Sequence, residues 1–119
     1  MINKRYIGSV NENKACDFLI KKGYLILDVN YNVRQAELDI IARDDKTVVF
    51  VEVKYRSSFN SGNPLEAVTV SKQKKICKAA LFYMNQHNIN PYEEPVRFDV
   101  IGITPKEIMH VVNAFDYIN

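Results

Sequence analysis

The segment Thr47–Tyr55, with the sequence TVVFVEVKY, constrains the fold more than any other part of the chain. Side chains alternate between the two faces of a strand. Each face of this strand therefore carries two of its first four apolar residues. These are Val48 and Phe50 on one face, and Val49 and Val51 on the other. A strand that is apolar on both faces is typical of a central strand that is covered on both sides.

Helical and strand-like hydrophobic patterns, separated by turn signals such as Asp44-Asp45-Lys46, fill the rest of the chain. They predict helices over residues 3–22 and 63–86, with Ser71 as a candidate point at which the second helix restarts. They predict strands over residues 24–31, 37–42, 47–55, 96–103 and 107–112. The order α-β-β-β-α-β-β indicates an α/β fold with a mixed β-sheet flanked by helices, in which the first three strands pair as a meander.

Length and composition indicate one globular domain spanning residues 1–119. No apolar run approaches the roughly 18 residues that span a bilayer, so we expect no membrane partner.

Cys16 and Cys77 are far apart and belong to no Cys/His cluster, which predicts buried free thiols in a cytoplasmic protein. The net charge of +2 says little about partners, because cations need only cluster on one face to bind nucleic acid.

Acidic residues on two neighbouring predicted strands are the strongest candidates for a functional site. Glu52 and Lys54 share one face at the end of the third strand, and Asp39 lies on the second. If these strands pair about the turn at residues 44–46, Asp39 falls near Glu52. Two adjacent carboxylates repel each other, and a divalent cation resolves that repulsion. Asp39, Glu52 and the backbone carbonyl of Val53 would suit Mg²⁺ or Mn²⁺, with Lys54 holding a phosphate or orienting water. The alternative is an ordinary surface ion pair between Glu52 and Lys54.

A third carboxylate lies in the first predicted helix. Glu12 shares a helical face with Ala15, Cys16 and Leu19, and a carboxylate in an apolar stripe is costly unless it is paired or bound to a metal. It is therefore a candidate accessory acid of the same site. The alternative is a stripe whose edge is solvated at that turn.

Basic residues supply candidate phosphate contacts. Lys72 shares a helical face with apolar residues, so we expect its side chain to point inward, near a helix N-terminus whose dipole favours phosphate. The alternative is that its aliphatic stem packs on the apolar surface while the ammonium group reaches solvent. Lys74, Lys75 and Arg56 are candidate nucleic-acid contacts, and each also fits a solvated surface. Arg97 and Asp99 alternate onto one face of the fourth strand, which predicts a structural pair, whereas no motif partner for His110 is evident.

These residues resemble the PD-(D/E)XK signature of restriction-endonuclease-like nucleases. The whole chain more closely resembles the YraN-like family of small bacterial proteins, and the archaeal Holliday junction resolvases look like more distant relatives. The resemblance rests on ELDIIA at residues 37–42 and FVEVK at 50–54, and on GNPLEAV at 62–68, Lys72, RFDV at 97–100 and NAF at 113–115, with Gly8, Glu12 and Ala15 in the first helix.

The resemblance implies a restriction-endonuclease-like fold and a divalent-metal-dependent nuclease that hydrolyses phosphodiester bonds. It implies DNA in preference to RNA as the substrate, in a branched or damaged form, and a homodimer. Asp39, Glu52 and Lys54 would form the nuclease core, with Glu12 as an accessory acid. Asn11 and Ala36 occupy positions where the family usually has glycine. A nucleic-acid-binding domain that keeps the fold without cleaving is the alternative function.

Overall fold

The computed structural model describes residues 10–119. Its elements follow the predicted order, with one short 3₁₀ helix added before the second α-helix. They are α1 (Val10–Lys21), β1 (Leu25–Val33), β2 (Ala36–Asp44), β3 (Thr47–Tyr55), the 3₁₀ helix (Pro64–Ala67), α2 (Val70–Gln86), β4 (Val96–Ile103) and β5 (Ile108–Phe115). Residues 3–9 of the first predicted helix lie outside the described residues. Neither helix within residues 10–119 is long and apolar enough to cross a membrane.

The five strands form a single sheet in the order β1-β2-β3-β4-β5. β3 and β4 are parallel, and the other neighbours are antiparallel. The expected mixed sheet, the meander and the central place of β3 are therefore confirmed. Val48 and Phe50 pack in a core on the α2 side, and Val49 and Val51 pack in a second core on the α1 side. Cover on both faces explains why the first half of β3 is apolar throughout.

The helix predicted from residue 63 is two separate helices. The side chain of Asn63 accepts a hydrogen bond from the amide of Leu65 and caps the 3₁₀ helix, which ends at Ala67. Thr69 then caps α2 through a 3.1 Å hydrogen bond from the amide of Lys72 to its hydroxyl. Because α2 begins at Val70, one residue before the predicted restart at Ser71, Lys72 lies in its first turn.

In β2, the alternation of side chains between the two faces of the sheet is broken beside Asp39. Strict alternation predicts that Leu38 and Ile40 share a face, but Leu38 packs on the α2 side and Ile40 on the α1 side. The residue opposite Asp39 in β1 is Asn30, since its neighbours pair with Ile40 and Leu38. Asn30 has a φ of 51°, a left-handed conformation that asparagine tolerates better than most residues. The alternation of side chains along β2 is therefore broken where Asp39 lies.

Candidate metal centre

Asp39 is held where the pairing of β2 and β3 ends. The last paired residues are Ile40 and Val51, and beyond them the amide of Val53 donates a 2.7 Å hydrogen bond to Oδ2 of Asp39. The carboxylate thus takes the place of a backbone carbonyl as the partner of a strand amide. This bond fixes the buried Asp39 beside the following strand and, as the hairpin at residues 44–46 predicts, close to Glu52.

The two oxygens of Glu52 have different surroundings. Oε2 lies 3.4 Å from the Lys54 ammonium and 3.7 Å from the Lys72 ammonium. Oε1 is buried and has no hydrogen-bond partner among the described residues. Only 3% of Glu52 is exposed, so water cannot replace the missing partner cheaply. One oxygen therefore lacks a partner while the other lies beside two positive charges.

The electrostatics of the pair oppose full ionisation. The pKa of Asp39 is raised from its ordinary value of 3.8 to about 7, and burial is the largest cause. Repulsion from the Glu52 carboxylate is the second-largest cause of this increase. The amide of Val53 opposes these effects because it stabilises the charged form. A cation placed between the carboxylates would remove the repulsion.

The residues present fit a magnesium ion. Mg²⁺ prefers oxygen ligands, keeps several waters and is commonly bound through one or two carboxylates. The unpaired Oε1 of Glu52 and the crowded carboxylate of Asp39 are such ligands. Within residues 10–119, no group of three or more His, Cys, Asp and Glu side chains is placed to hold a metal, so waters and a bound phosphate would complete the coordination. Coordination by the Val53 carbonyl stays a prediction.

Comparison with known proteins places the chain in a family. The model of the uncharacterised protein family UPF0102 matches residues 11–103. The chain belongs to the UPF0102 family. The expected YraN-like membership is therefore confirmed.

Relatives in this family match along most of their length. A UPF0102 protein of Lachnoclostridium phytofermentans is 42% identical over 115 residues, which cover 97% of each chain. One from Chlorobium phaeobacteroides is 46% identical over 120 residues, which cover 92% of this chain and 93% of its own. One from Caldanaerobacter subterraneus is 42% identical over 121 residues, with 96% and 98% covered.

At Asn11 and Ala36, the two positions where the resemblance predicts glycine, the backbone does not adopt a conformation that requires glycine. Ala36, the first residue of β2, has no positive φ, whereas Gln35 before it has a φ of 66°. The left-handed residue of this turn is therefore Gln35, and an alanine at position 36 is not strained. Asn11 lies in the first turn of α1, also without a positive φ.

The sequence predicts two further residues of the site, Glu12 and Arg56. Glu12 is half-buried in the first turn of α1, and it does not join Asp39 and Glu52 in a metal-binding group of the described residues. Its accessory role stays a prediction. The guanidinium of Arg56 donates a 2.8 Å hydrogen bond to the carbonyl of Tyr55, so the contact described for it is local.

The lysines of α2 separate into two groups. Lys72 reaches Glu52, as its inward orientation predicts. Lys74 and Lys75 are exposed on the outer surface of the helix and lie in surface clefts. Nucleic-acid binding by any of the three stays a prediction.

A third buried carboxylate, Asp99, has a full set of partners. Arg97 Nε lies 3.0 Å from Oδ1, which confirms the expected pair, and the amide of Asn113 donates to the same oxygen over 2.9 Å. His110 Nε2 lies 2.7 Å from Oδ2, while Nδ1 of the same ring lies 2.8 Å from the Lys22 ammonium. His110 has this partner because β4 and β5 pair, which no local sequence motif shows.

Proposed function

We propose that the protein is a divalent-metal-dependent nuclease of the PD-(D/E)XK type, which hydrolyses phosphodiester bonds in DNA in the cytoplasm. The observation that carries the proposal is the buried pair of Asp39 and Glu52, with an unpaired carboxylate oxygen on one side and two ammonium groups on the other. Two carboxylates that repel each other in the folded chain are suited to bind a cation, and a cation beside lysines is suited to bind phosphate.

Each residue has a distinct role in this proposal. Asp39 and Glu52 hold Mg²⁺ or Mn²⁺, which would acidify an attacking water and polarise the scissile phosphate. Lys54 and Lys72 place two positive charges where the phosphate gains negative charge during hydrolysis. The amide of Val53 keeps Asp39 in position through its hydrogen bond.

The architecture supports a restriction-endonuclease-like fold. A mixed sheet lies between two helices, and the acidic pair lies where β2 and β3 stop pairing, at the end of the central strand. By analogy with the resolvases that the sequence resembles, we propose a homodimer that acts on branched or damaged DNA. One small domain has little surface for gripping a duplex, which a second copy would extend.

Cleavage of a labelled DNA panel tests the function. Single strands, duplexes and branched junctions are incubated with the wild-type protein in Mg²⁺, Mn²⁺ or EDTA. We expect cleavage only with metal, and a loss of at least about a hundredfold in Asp39→Asn and Glu52→Gln, because removing residues that merely support ligands already costs 10–100-fold.

Asp45→Asn is the matched control, since Asp45 is exposed in the turn between β2 and β3 and its φ of 55° suits asparagine. It should cleave like the wild type. Binding without cleavage of any substrate in either metal would overturn the nuclease proposal and favour a nucleic-acid-binding domain that does not cleave.

A further inference from the structure

A continuous surface leads away from the candidate metal centre along α2. Lys72, whose ammonium lies beside Glu52, also lines a cleft that it shares with Lys75. Lys75 lines a second cleft as well, next to Lys74, Lys78 and Tyr117. The two clefts therefore meet at Lys75, and the path from Glu52 continues onto the outer surface of the helix.

A third cleft extends this path beyond the lysines. Leu81 and Tyr117 line both the second and the third cleft, and the third also contains Met84 and Tyr92. We call the joined surface from Lys72 to Tyr92 the α2 track. Lys72 and Leu81 are about 14 Å apart along the helix axis, by the rise of 1.5 Å per residue.

The chemistry of the α2 track changes along its length. Four lysines lie nearest the metal centre, namely Lys72, Lys74, Lys75 and Lys78. Aromatic and apolar side chains follow, with Tyr117 45% exposed and Tyr92 97% exposed. Among the described residues that line the three clefts, Glu37 is the only acid. The track therefore offers positive charge first and aromatic faces second.

The position of Tyr117 is fixed by its neighbour in the chain. The amide of Ile118 donates a hydrogen bond to Sγ of Cys77, with a distance of 3.4 Å, so the segment after β5 lies against α2. This contact places an exposed aromatic ring beside Lys74 and Lys78.

We propose that the α2 track binds a single-stranded segment of nucleic acid. Its phosphates would lie on the lysines and its bases on Tyr117 and Tyr92. Lysines attract phosphates of any nucleic acid, but aromatic side chains stack only on bases that are not already paired. A protein partner is a different occupant, and four lysines with one acid match a polyanion better than a mixed surface. This inference rests on the proposed function, since the strand would enter the metal centre past Lys72.

Binding is measured without metal, so that cleavage plays no part. Fluorescence anisotropy in EDTA compares a labelled single strand with a duplex of the same sequence at several salt concentrations. We expect tighter binding of the single strand, weakened by salt. Replacing Lys74, Lys75 and Lys78 by alanine should weaken binding at least tenfold and reduce the salt slope by about 2.

Matched variants separate local contact from general charge. Alanine at Lys14, Lys46 and Lys106 removes the same charge from exposed positions off the track and should change binding less than twofold. Tyr117→Leu should weaken binding at least fivefold because stacking on each base contributes about 1–3 kcal/mol. Tyr117→Phe keeps the aromatic ring and should bind like the wild type.

Several results would overturn the inference: no binding of single strands, a preference for duplex, equal effects of the two lysine triples, or equal binding by Tyr117→Leu and Tyr117→Phe. Failure of this inference can be distinguished from failure of the nuclease proposal. Single-strand binding without any cleavage would support the track and contradict the nuclease, whereas metal-dependent cleavage without such binding would do the reverse.

Discussion

Asp39 and Asp99 are two buried aspartates with similar backbone settings on either side of β3. Asp39 lies on β2 opposite Asn30, and Asp99 lies on β4 where its pairing with β5 is irregular near Asn113. Both asparagines are left-handed, with φ values of 51° and 55°. Each aspartate accepts a backbone hydrogen bond from a neighbouring strand, Asp39 from Val53 and Asp99 from Asn113.

The remaining partners of the two aspartates are opposite in charge. Burial alone would raise the pKa of Asp99, but hydrogen bonds from His110, Arg97 and the Asn113 amide outweigh it, and the pKa is lowered. Burial and the Glu52 carboxylate raise the pKa of Asp39 to about 7. Burial of a carboxylate thus indicates nothing by itself. A structural carboxylate such as Asp99 finds its counter-charges within the chain. The lysines of the Asp39 pair lie beside Oε2 of Glu52 and leave the repulsion between the two carboxylates in place, which suits an added cation.

Removing Asp99 should have the largest effect on stability. Asp99→Ala leaves Arg97 and His110 without their buried partner, and breaking a buried charge pair in this way costs about 3 kcal/mol or more. Urea denaturation followed by circular dichroism measures the loss. A change below about 1 kcal/mol would show that Asp99 is not the structural member of the comparison.

Removing the charge of Asp39 should have the opposite sign. Asp39→Asn abolishes repulsion from Glu52, so in EDTA at pH 8 we expect a free energy of unfolding about 1–2 kcal/mol higher than that of the wild type. Asp45→Asn, in the exposed turn, should change it by less than about 0.5 kcal/mol. A clear destabilisation by Asp39→Asn would place Asp39 in the same class as Asp99.

The free energy of unfolding should depend on pH in opposite ways for Asp39 and Asp99, and this effect is the smallest of the three. Between pH 3.8 and about 7, folded Asp39 holds a proton that the unfolded chain has released, so its contribution to stability falls as pH rises. The advantage of Asp39→Asn should therefore shrink by about 1 kcal/mol or more from pH 8 to pH 5. Asp99 has a lowered pKa, so its contribution persists above its ordinary value of 3.8 and is lost only as pH falls below that value. An advantage of Asp39→Asn that is constant with pH would contradict the raised pKa.

Local sequence patterns predict most of this fold. The bounds of β3 and β4 follow from apolar runs that end in turn signals. β5 continues to Phe115, beyond the predicted end at residue 112, because left-handed Asn113 interrupts the alternation without ending the strand. The helix predicted from residue 63 is interrupted at Val68 and Thr69, and α2 begins at Val70, one residue before the predicted restart at Ser71.

The candidate site was only partly predictable. Proximity of Asp39 and Glu52 follows from a hairpin with a short turn, which fixes the register. The unpaired oxygen of Glu52 depends on where Lys54 and Lys72 reach in three dimensions, and the partnership of Asp99 with His110 depends on the pairing of β4 with β5. Contacts between segments far apart in sequence leave no local pattern to read.

Calorimetric titration with Mg²⁺ tests most directly whether Asp39 and Glu52 form a cation site. Wild-type protein and Asp45→Asn should bind one ion per chain at pH 8, whereas Asp39→Asn and Glu52→Gln should show no saturable binding. Absence of binding to the folded wild type at millimolar Mg²⁺, or undiminished binding by Glu52→Gln, would contradict the assignment.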